Sequence, residues 1–184
     1  YSPLQNLPSH GFIREQVWQL ESITTKTDHT TELLLTLSIN AGDSPIWPFD
    51  CQLHYLINIG RELKVAFTVH NTGKQSFTYS SALHSYLAIE DIHAVSIEGL
   101  EGSTFIDCLN DWQADVQEGA LNIIAETDRI YQPSDQEQAI TVRNNRSQRQ
   151  IRLLSKGHHN YVVWNPWIEK SKRLRHFNEL AYLD

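Results

Sequence analysis

Residues 51–69 read CQLHYLINIGRELKVAFTV. Apolar and polar side chains alternate from Cys51 to Ile59 and again from Glu62 to Val69. That period of two is the mark of β-strands with one buried face. Between the runs, Gly60-Arg61 reads as a short hairpin turn where the glycine can supply a positive φ. The same pattern extends outward. Residues 16–20 alternate, residues 32–39 read as a largely buried strand, and Asn71-Thr72-Gly73-Lys74 reads as a turn. Ser76-Phe77-Thr78-Tyr79 opens a further strand, and later strands are expected at 94–97, 121–125, 139–142, 151–154 and 161–164. Only residues 167–174 suggest a short helix. Turn signals recur about every ten residues, so the class is all-β, a large antiparallel sandwich or barrel.

The length of 184 residues suggests one domain with a substantial core. A net charge of -7 argues against nucleic-acid binding, which needs a basic face, and against attachment to a membrane surface. No apolar run approaches the roughly 20 residues of a spanning helix. The segment RNNRSQRQ, residues 143–150, reads as a solvated hairpin tip. Cys51 and Cys108 lack metal-type spacing and read as reduced core thiols, as suits an intracellular compartment. A bridge between them is the alternative. The chain starts at Tyr1, contains no Met and stops at FNELAYLD, which reads as part of a longer chain.

Several residues can carry chemistry. In Ser9-His10-Gly11-Phe12-Ile13-Arg14, the His-Gly step turns the backbone tightly, and Arg14 can fork onto a carboxylate or phosphate. A loop with one surface histidine and one surface arginine is the plain alternative. In ALHSYL, residues 82–87, alternation from Phe77 and Tyr79 puts Leu83 on their face and His84 on the other. His84 then either lines a cleft, where its neutral-range titration suits acid or base work, or is a half-buried histidine bonded to a carbonyl. Glu90, Asp91, His93 and His84 have metal-ligand chemistry but no metal motif, so no metal is expected. Asp107 is either a turn former with Asn110-Asp111 or an acceptor facing a ligand. In VVWNPWIEKS, Pro166 should end the strand, and its tryptophans are either core or sugar-stacking faces.

Taken in order, HGFIR, WPFDCQL, VHNTG, ALHSYL, IEGLEGSTFID, ETDRIY and VVWNPWIEKS resemble the hexose-6-phosphate mutarotases. These form the glucose-6-phosphate 1-epimerase branch of the aldose 1-epimerase superfamily, and the resemblance runs from about residue 8 to about residue 177. It implies a galactose mutarotase-like β-supersandwich, incomplete at both ends, and a single sugar-binding domain over residues 1–184. By the same resemblance His84 is the catalytic acid, and His10, Arg14, Asp107 and, more weakly, Ser9 contact the substrate. That substrate is a small sugar phosphate. No cofactor, nucleic acid or membrane partner is implied, and the protein is expected to be cytoplasmic and a monomer or weak oligomer.

The resemblance also implies a glutamate base in a strand after the WNPW segment. Glu169 belongs to that segment itself and Glu179 is misplaced for the role. On this reading either the chain is incomplete or the protein is a catalytically inactive sugar-phosphate-binding module on the same fold.

Overall fold

The structure, a computed structural model, describes residues 10–132 and 139–174. The chain forms two compact units, residues 1–83 and 84–184. In the first, β1 (Gln19–Thr25), β2 (Thr31–Ile39), β3 (Cys51–Ile59) and β4 (Leu63–Asn71) make one antiparallel meander in that order. The ladder pairs Ile39 with Cys51 and Ile59 with Leu63. It therefore stacks Leu37, Leu53 and Val69 on one face, because side chains at every second position share a face. The core at that end of the sheet is Ile39, Cys51 and Leu53. Over it pack Trp47, Phe67 and Phe77, with Trp47 edge-on to Phe77 at 5.0 Å and to Phe49 at 5.5 Å.

The deciding hairpin is present, with two differences from the expectation. Its loop holds three residues, 60–62, closed by the Gly60 N–H donating to the Glu62 carbonyl at 3.1 Å. Gly60 is also not left-handed. A Cβ there would lie 2.9 Å from the side-chain oxygen of Thr30, at the neighbouring turn between β1 and β2. A third difference concerns the stretch expected to carry ALHSYL as a strand. Residues 76–89 belong to no sheet ladder among the described residues. Alternation reports which face a side chain takes; a strand also needs a neighbouring backbone to bond, and this stretch has none in the ladders described.

The first regular element of the second unit is a 3₁₀ turn, Ile92–Ala94, capped by Asp91, whose carboxylate accepts the His93 N–H at 2.9 Å. Then come β5 (Val95–Glu98), β6 (Thr104–Asp107), β7 (Gln113–Val116), β8 (Leu121–Asn122), β9 (Thr127–Gln132), β10 (Ala139–Asn144), β11 (Arg149–Leu154) and β12 (Tyr161–Asn165). They form two four-stranded antiparallel sheets, β11-β10-β5-β8 and β12-β9-β6-β7. One core joins them: Val95, Ile97, Leu121, Ile140 and Val142 from the first sheet, Phe105 and Tyr131 from the second. In β10 the buried positions alternate strictly, Ile140, Val142 and Asn144. The strand expected at 121–125 stops at Asn122, since β5 offers it only two partners, Ser96 and Ile97.

At residues 143–150 the solvated tip is shorter than expected. Arg143 lies in β10 and forks onto Glu98 of β5 through Nε–Oε1 at 2.8 Å and Nη2–Oε2 at 3.0 Å. Only residues 145–148 form the turn, folded around Asn144 Oδ1, which accepts the N–H groups of Arg146 and Ser147. β12 ends at Asn165, immediately before Pro166, and the helix α1 (Trp167–Ser171) follows. The antiparallel all-β class is thus the observed one. Among the described residues no helix is long and apolar enough to cross a membrane. Both cysteines are free thiols, Cys51 buried and Cys108 partly so.

Candidate functional site

Four of the five expected site residues lie among the described residues; Ser9 lies outside them, as does Glu179. His10 and Arg14 sit at the start of the first unit. His10 is exposed and left-handed at φ 64, followed by Gly11 at φ 69, so the step does turn sharply. A left-handed conformation is uncommon for a residue with a Cβ and stores local strain. Arg14 lies in the 3₁₀ turn Ile13–Glu15, which Phe12 and Ile13 anchor by packing on the first core. Its guanidinium is exposed and has no ion-pair partner among the described residues. It is therefore a forked donor, positioned by its neighbours and available to an anion.

His84 opens the second unit, exposed, in the stretch outside the ladders. Three residues on, Leu87 packs against the second core, as does Ile89. The segment that follows His84 is thus tied to the core by partly buried side chains, while His84 itself is exposed. Asp107 closes β6 in the same unit. Of its two open readings, the turn is visible: Oδ1 accepts the Leu109 N–H at 3.0 Å, and the Asp107 carbonyl accepts the Asn110 N–H at 3.3 Å. Its Oδ2 faces Arg129 Nε of β9 at 3.6 Å. The structure brings Asp107 together with Arg129, while His10 and Arg14 stand in one short segment of the first unit.

Sequence reading assigned no role to Arg129, although it stands in the quoted ETDRIY segment. The ladder puts Asp107 directly opposite Arg129 and Phe105 opposite Tyr131, all on one face. Arg129 lies over the Phe105 ring at 4.4 Å and donates from Nη1 to Gln117 Oε1 at 3.3 Å. The fully buried Tyr131 hydroxyl donates to the same Gln117 oxygen at 2.7 Å. Burial pushes the Tyr131 phenol above its ordinary value, the nearby Arg129 opposing the rise. Arg129 and Gln117 line a polar cleft with Phe105, Asp115, Val116 and Glu118. A strand partner in register with Asp107 is the signal that points to Arg129, and register is not written in a local motif.

Beside this group, Asp128 is pushed above the usual carboxylate value by burial, Lys170 acting against the shift. Lys170 itself bonds Glu126 at 2.7 Å and lies 5.9 Å from the Trp164 ring centre. Burial and then the Asp128 charge raise the Cys108 thiol, which makes it a poor nucleophile. Two of the four residues weighed as metal ligands have other contacts: Asp91 caps its turn and faces Arg146 at 3.8 Å, and His93 packs edge-on against Trp167 at 5.6 Å. Among the described residues no three His, Cys, Asp or Glu side chains gather as they would around a metal ion.

Comparison with known proteins bears on the chain as a whole. The family described as aldose 1-epimerase matches residues 2–183. A protein of Escherichia coli strain K12 named "putative glucose-6-phosphate 1-epimerase" is 33% identical over 165 residues, 88% of this chain and 53% of its own length. A Cenchrus ciliaris protein of the same name is 27% identical over 188 residues, 96% of this chain and 56% of its own. The crystal structure of a Salmonella typhimurium protein described as a "putative mutarotase" superposes with a TM-score of 0.88 at 28% identity. The match covers 99% of this chain and 59% of that one. The fold is accordingly the galactose mutarotase-like one, and the chain spans about half the length of the curated relatives it matches.

Proposed function

Because the chain belongs to the aldose 1-epimerase family, we propose that it supplies the acid side of a site interconverting the α and β anomers of hexose 6-phosphates, glucose 6-phosphate foremost. The reading is carried by one coincidence. The family match spans residues 2–183, and within it HGFIR, ALHSYL, STFID and WNPWIEKS occur in the order in which they resemble the family's segments. The exposed guanidinium of Arg14, without an ion-pair partner among the described residues, supports the choice of a phosphorylated sugar, since its fork matches two phosphate oxygens. Asp107 supports binding of sugar hydroxyls, because carboxylate oxygens accept their hydrogen bonds.

The reaction needs one acid and one base on opposite sides of the ring acetal. The base removes the C1 hydroxyl proton as the bond from C1 to the ring oxygen breaks, and its electron pair goes to the ring oxygen. His84, as imidazolium, protonates that oxygen. The open aldehyde rotates about C1–C2, and the ring oxygen then attacks the other face of C1. Neutral His84 takes back its proton while the base returns its own, so atoms and charge balance. The family resemblance assigns the base to a glutamate downstream of the WNPW segment, and none of the described residues is assigned to it.

The test uses the full-length protein. Anomer exchange of glucose 6-phosphate, followed by NMR magnetisation transfer, is expected to run faster than in buffer. His84→Ala should lower kcat by roughly 10²–10⁴-fold, the usual contribution of a general acid. Arg14→Ala should raise KM for glucose 6-phosphate and leave unphosphorylated glucose unaffected. Well-folded protein that binds the sugar without accelerating exchange identifies the inactive binding module instead.

A further inference from the structure

Asp107 can accept hydroxyls reproducibly only if its carboxylate is held still, and the second unit contains the means to hold it. The Oδ1 atom is engaged by the Leu109 N–H. At the other side, Arg129 Nε lies 3.6 Å from Oδ2, too long for a strong hydrogen bond and close enough for charge attraction. Neither side chain is wide open to water: Arg129 is 28% exposed and Asp107 23%. The guanidinium is itself fixed from two further directions, by the Phe105 ring 4.4 Å below it and by Gln117 Oε1 at 3.3 Å.

Gln117 in turn cannot rotate. Its oxygen also accepts the buried Tyr131 hydroxyl at 2.7 Å, and its Nε2 donates to the carbonyls of Glu118 and Gly119 at 3.3 and 3.2 Å. An isolated structural ion pair on a sheet surface contributes little and needs no such support. Here an amide, itself held by a buried phenol, and an aromatic ring converge on one arginine, which also faces a carboxylate with one oxygen already engaged.

We infer that Arg129 is a positioning residue for sugar binding: it fixes Oδ2 of Asp107 as an oriented acceptor for hexose hydroxyls. This rests on the reading of Asp107 as a sugar-hydroxyl acceptor. The arginine touches no reacting atom, so its loss weakens binding and leaves the proton transfers in place.

The experiment measures kcat and KM for glucose 6-phosphate anomer exchange in the full-length protein. Variants are Asp107→Asn, Arg129→Gln, their double mutant and Arg129→Lys, with Glu98→Gln as a control that breaks a forked ion pair in the other sheet. Asp107→Asn and Arg129→Gln should each raise KM about tenfold with kcat within about threefold of wild type, since a held charged acceptor contributes binding on that scale. The double mutant should be no worse than the more severe single, because both remove the same acceptor. Arg129→Lys keeps the charge and loses the stacked fork, so its KM should fall between wild type and Arg129→Gln. Glu98→Gln should leave KM unchanged.

An unchanged KM in Arg129→Gln, or effects that multiply in the double mutant, overturns the inference while the role of Asp107 stands. A KM unmoved by Asp107→Asn removes the underlying reading, and the inference with it. Should Arg129→Gln not fold, Gln117→Met removes the second anchor of the guanidinium at similar volume. It must raise KM at least about threefold, being one step further from the acceptor, and a wild-type KM there is equally fatal.

Discussion

Gly99 joins β5 to the turn before β6, and its replacement by alanine tests the architecture most directly. The residue is left-handed at φ +92, and an added Cβ would lie 2.1 Å from the Ala139 carbonyl oxygen and 3.2 Å from its carbon. Those atoms are backbone at the start of β10, so no side-chain rotation relieves the overlap. The strand would have to retreat by about 1 Å to reach ordinary contact. That motion pulls against the adjacent Thr141–Glu98 and Val142–Ile97 pairs, the second of which lies inside the core. Gly102 in the same turn is also left-handed, at φ +76, but nothing lies within 4 Å of the place its methyl group would take. Alanine at 102 therefore carries dihedral strain alone, about 1–3 kcal/mol. Alanine at 99 carries that plus overpacking of about 1–3 kcal/mol. Urea unfolding of the two variants in the full-length protein reads the difference, with equal slopes required so that stability alone has changed. Gly99→Ala should be the less stable by about 1–3 kcal/mol. A Gly99→Ala protein as stable as Gly102→Ala refutes the close approach of β5 and β10 on which the second unit is built.

Tyr131→Phe keeps the ring contact with Phe105 at 5.3 Å and removes the buried hydroxyl bond to Gln117; it should cost about 1–2 kcal/mol in the same assay, and a loss near zero contradicts the network. Glu98 is held below its ordinary carboxylate value by the Arg143 fork, so its contribution is present above the unfolded value and lost as pH falls through the lower folded one. Glu98→Gln should accordingly flatten the acid limb of the stability profile, while identical limbs in variant and wild type dismiss the pair as a contributor.

Some of this architecture was written in local pattern. The alternation of Ile140, Val142 and Asn144 in β10 appears in sequence as in burial, and Pro166 stopped β12 where a missing N–H requires it. β7 was not visible because Gln113–Val116 is exposed at every position, and an edge strand without a buried face leaves no period to find. β9 hid for a different reason: Asp128 and Arg129 are polar positions satisfied by Lys170, Asp107 and Gln117 rather than by water. The Gly60 turn shows that a glycine's identity does not reveal whether a dihedral or a neighbour demands it. Residues 76–89 show the converse limit, since a strand-like pattern fixes faces and not partners.

The site residues follow the same division. The chemical types at His10, Arg14, His84 and Asp107 are legible one by one, whereas the support beneath Asp107 depends on which strand lies beside β6. Backbone strain supplies a link that neither motif nor composition carries. Among the described residues, His29, Asp111, Trp112 and Gln148 take left-handed conformations in hairpin turns, where such geometry is routine. The others, His10 and Trp167, stand in HGFIR and in WNPW. Bulky residues hold φ values near +50 to +60° only where surrounding contacts over-determine them, and such contacts are retained when the resulting geometry is needed. The turn between β6 and β7 is built on the Asp107 carboxylate, which Arg129 faces from the other side. On the proposed reading that carboxylate would also accept sugar hydroxyls, so the contacts that shape this turn would be the ones that orient the acceptor.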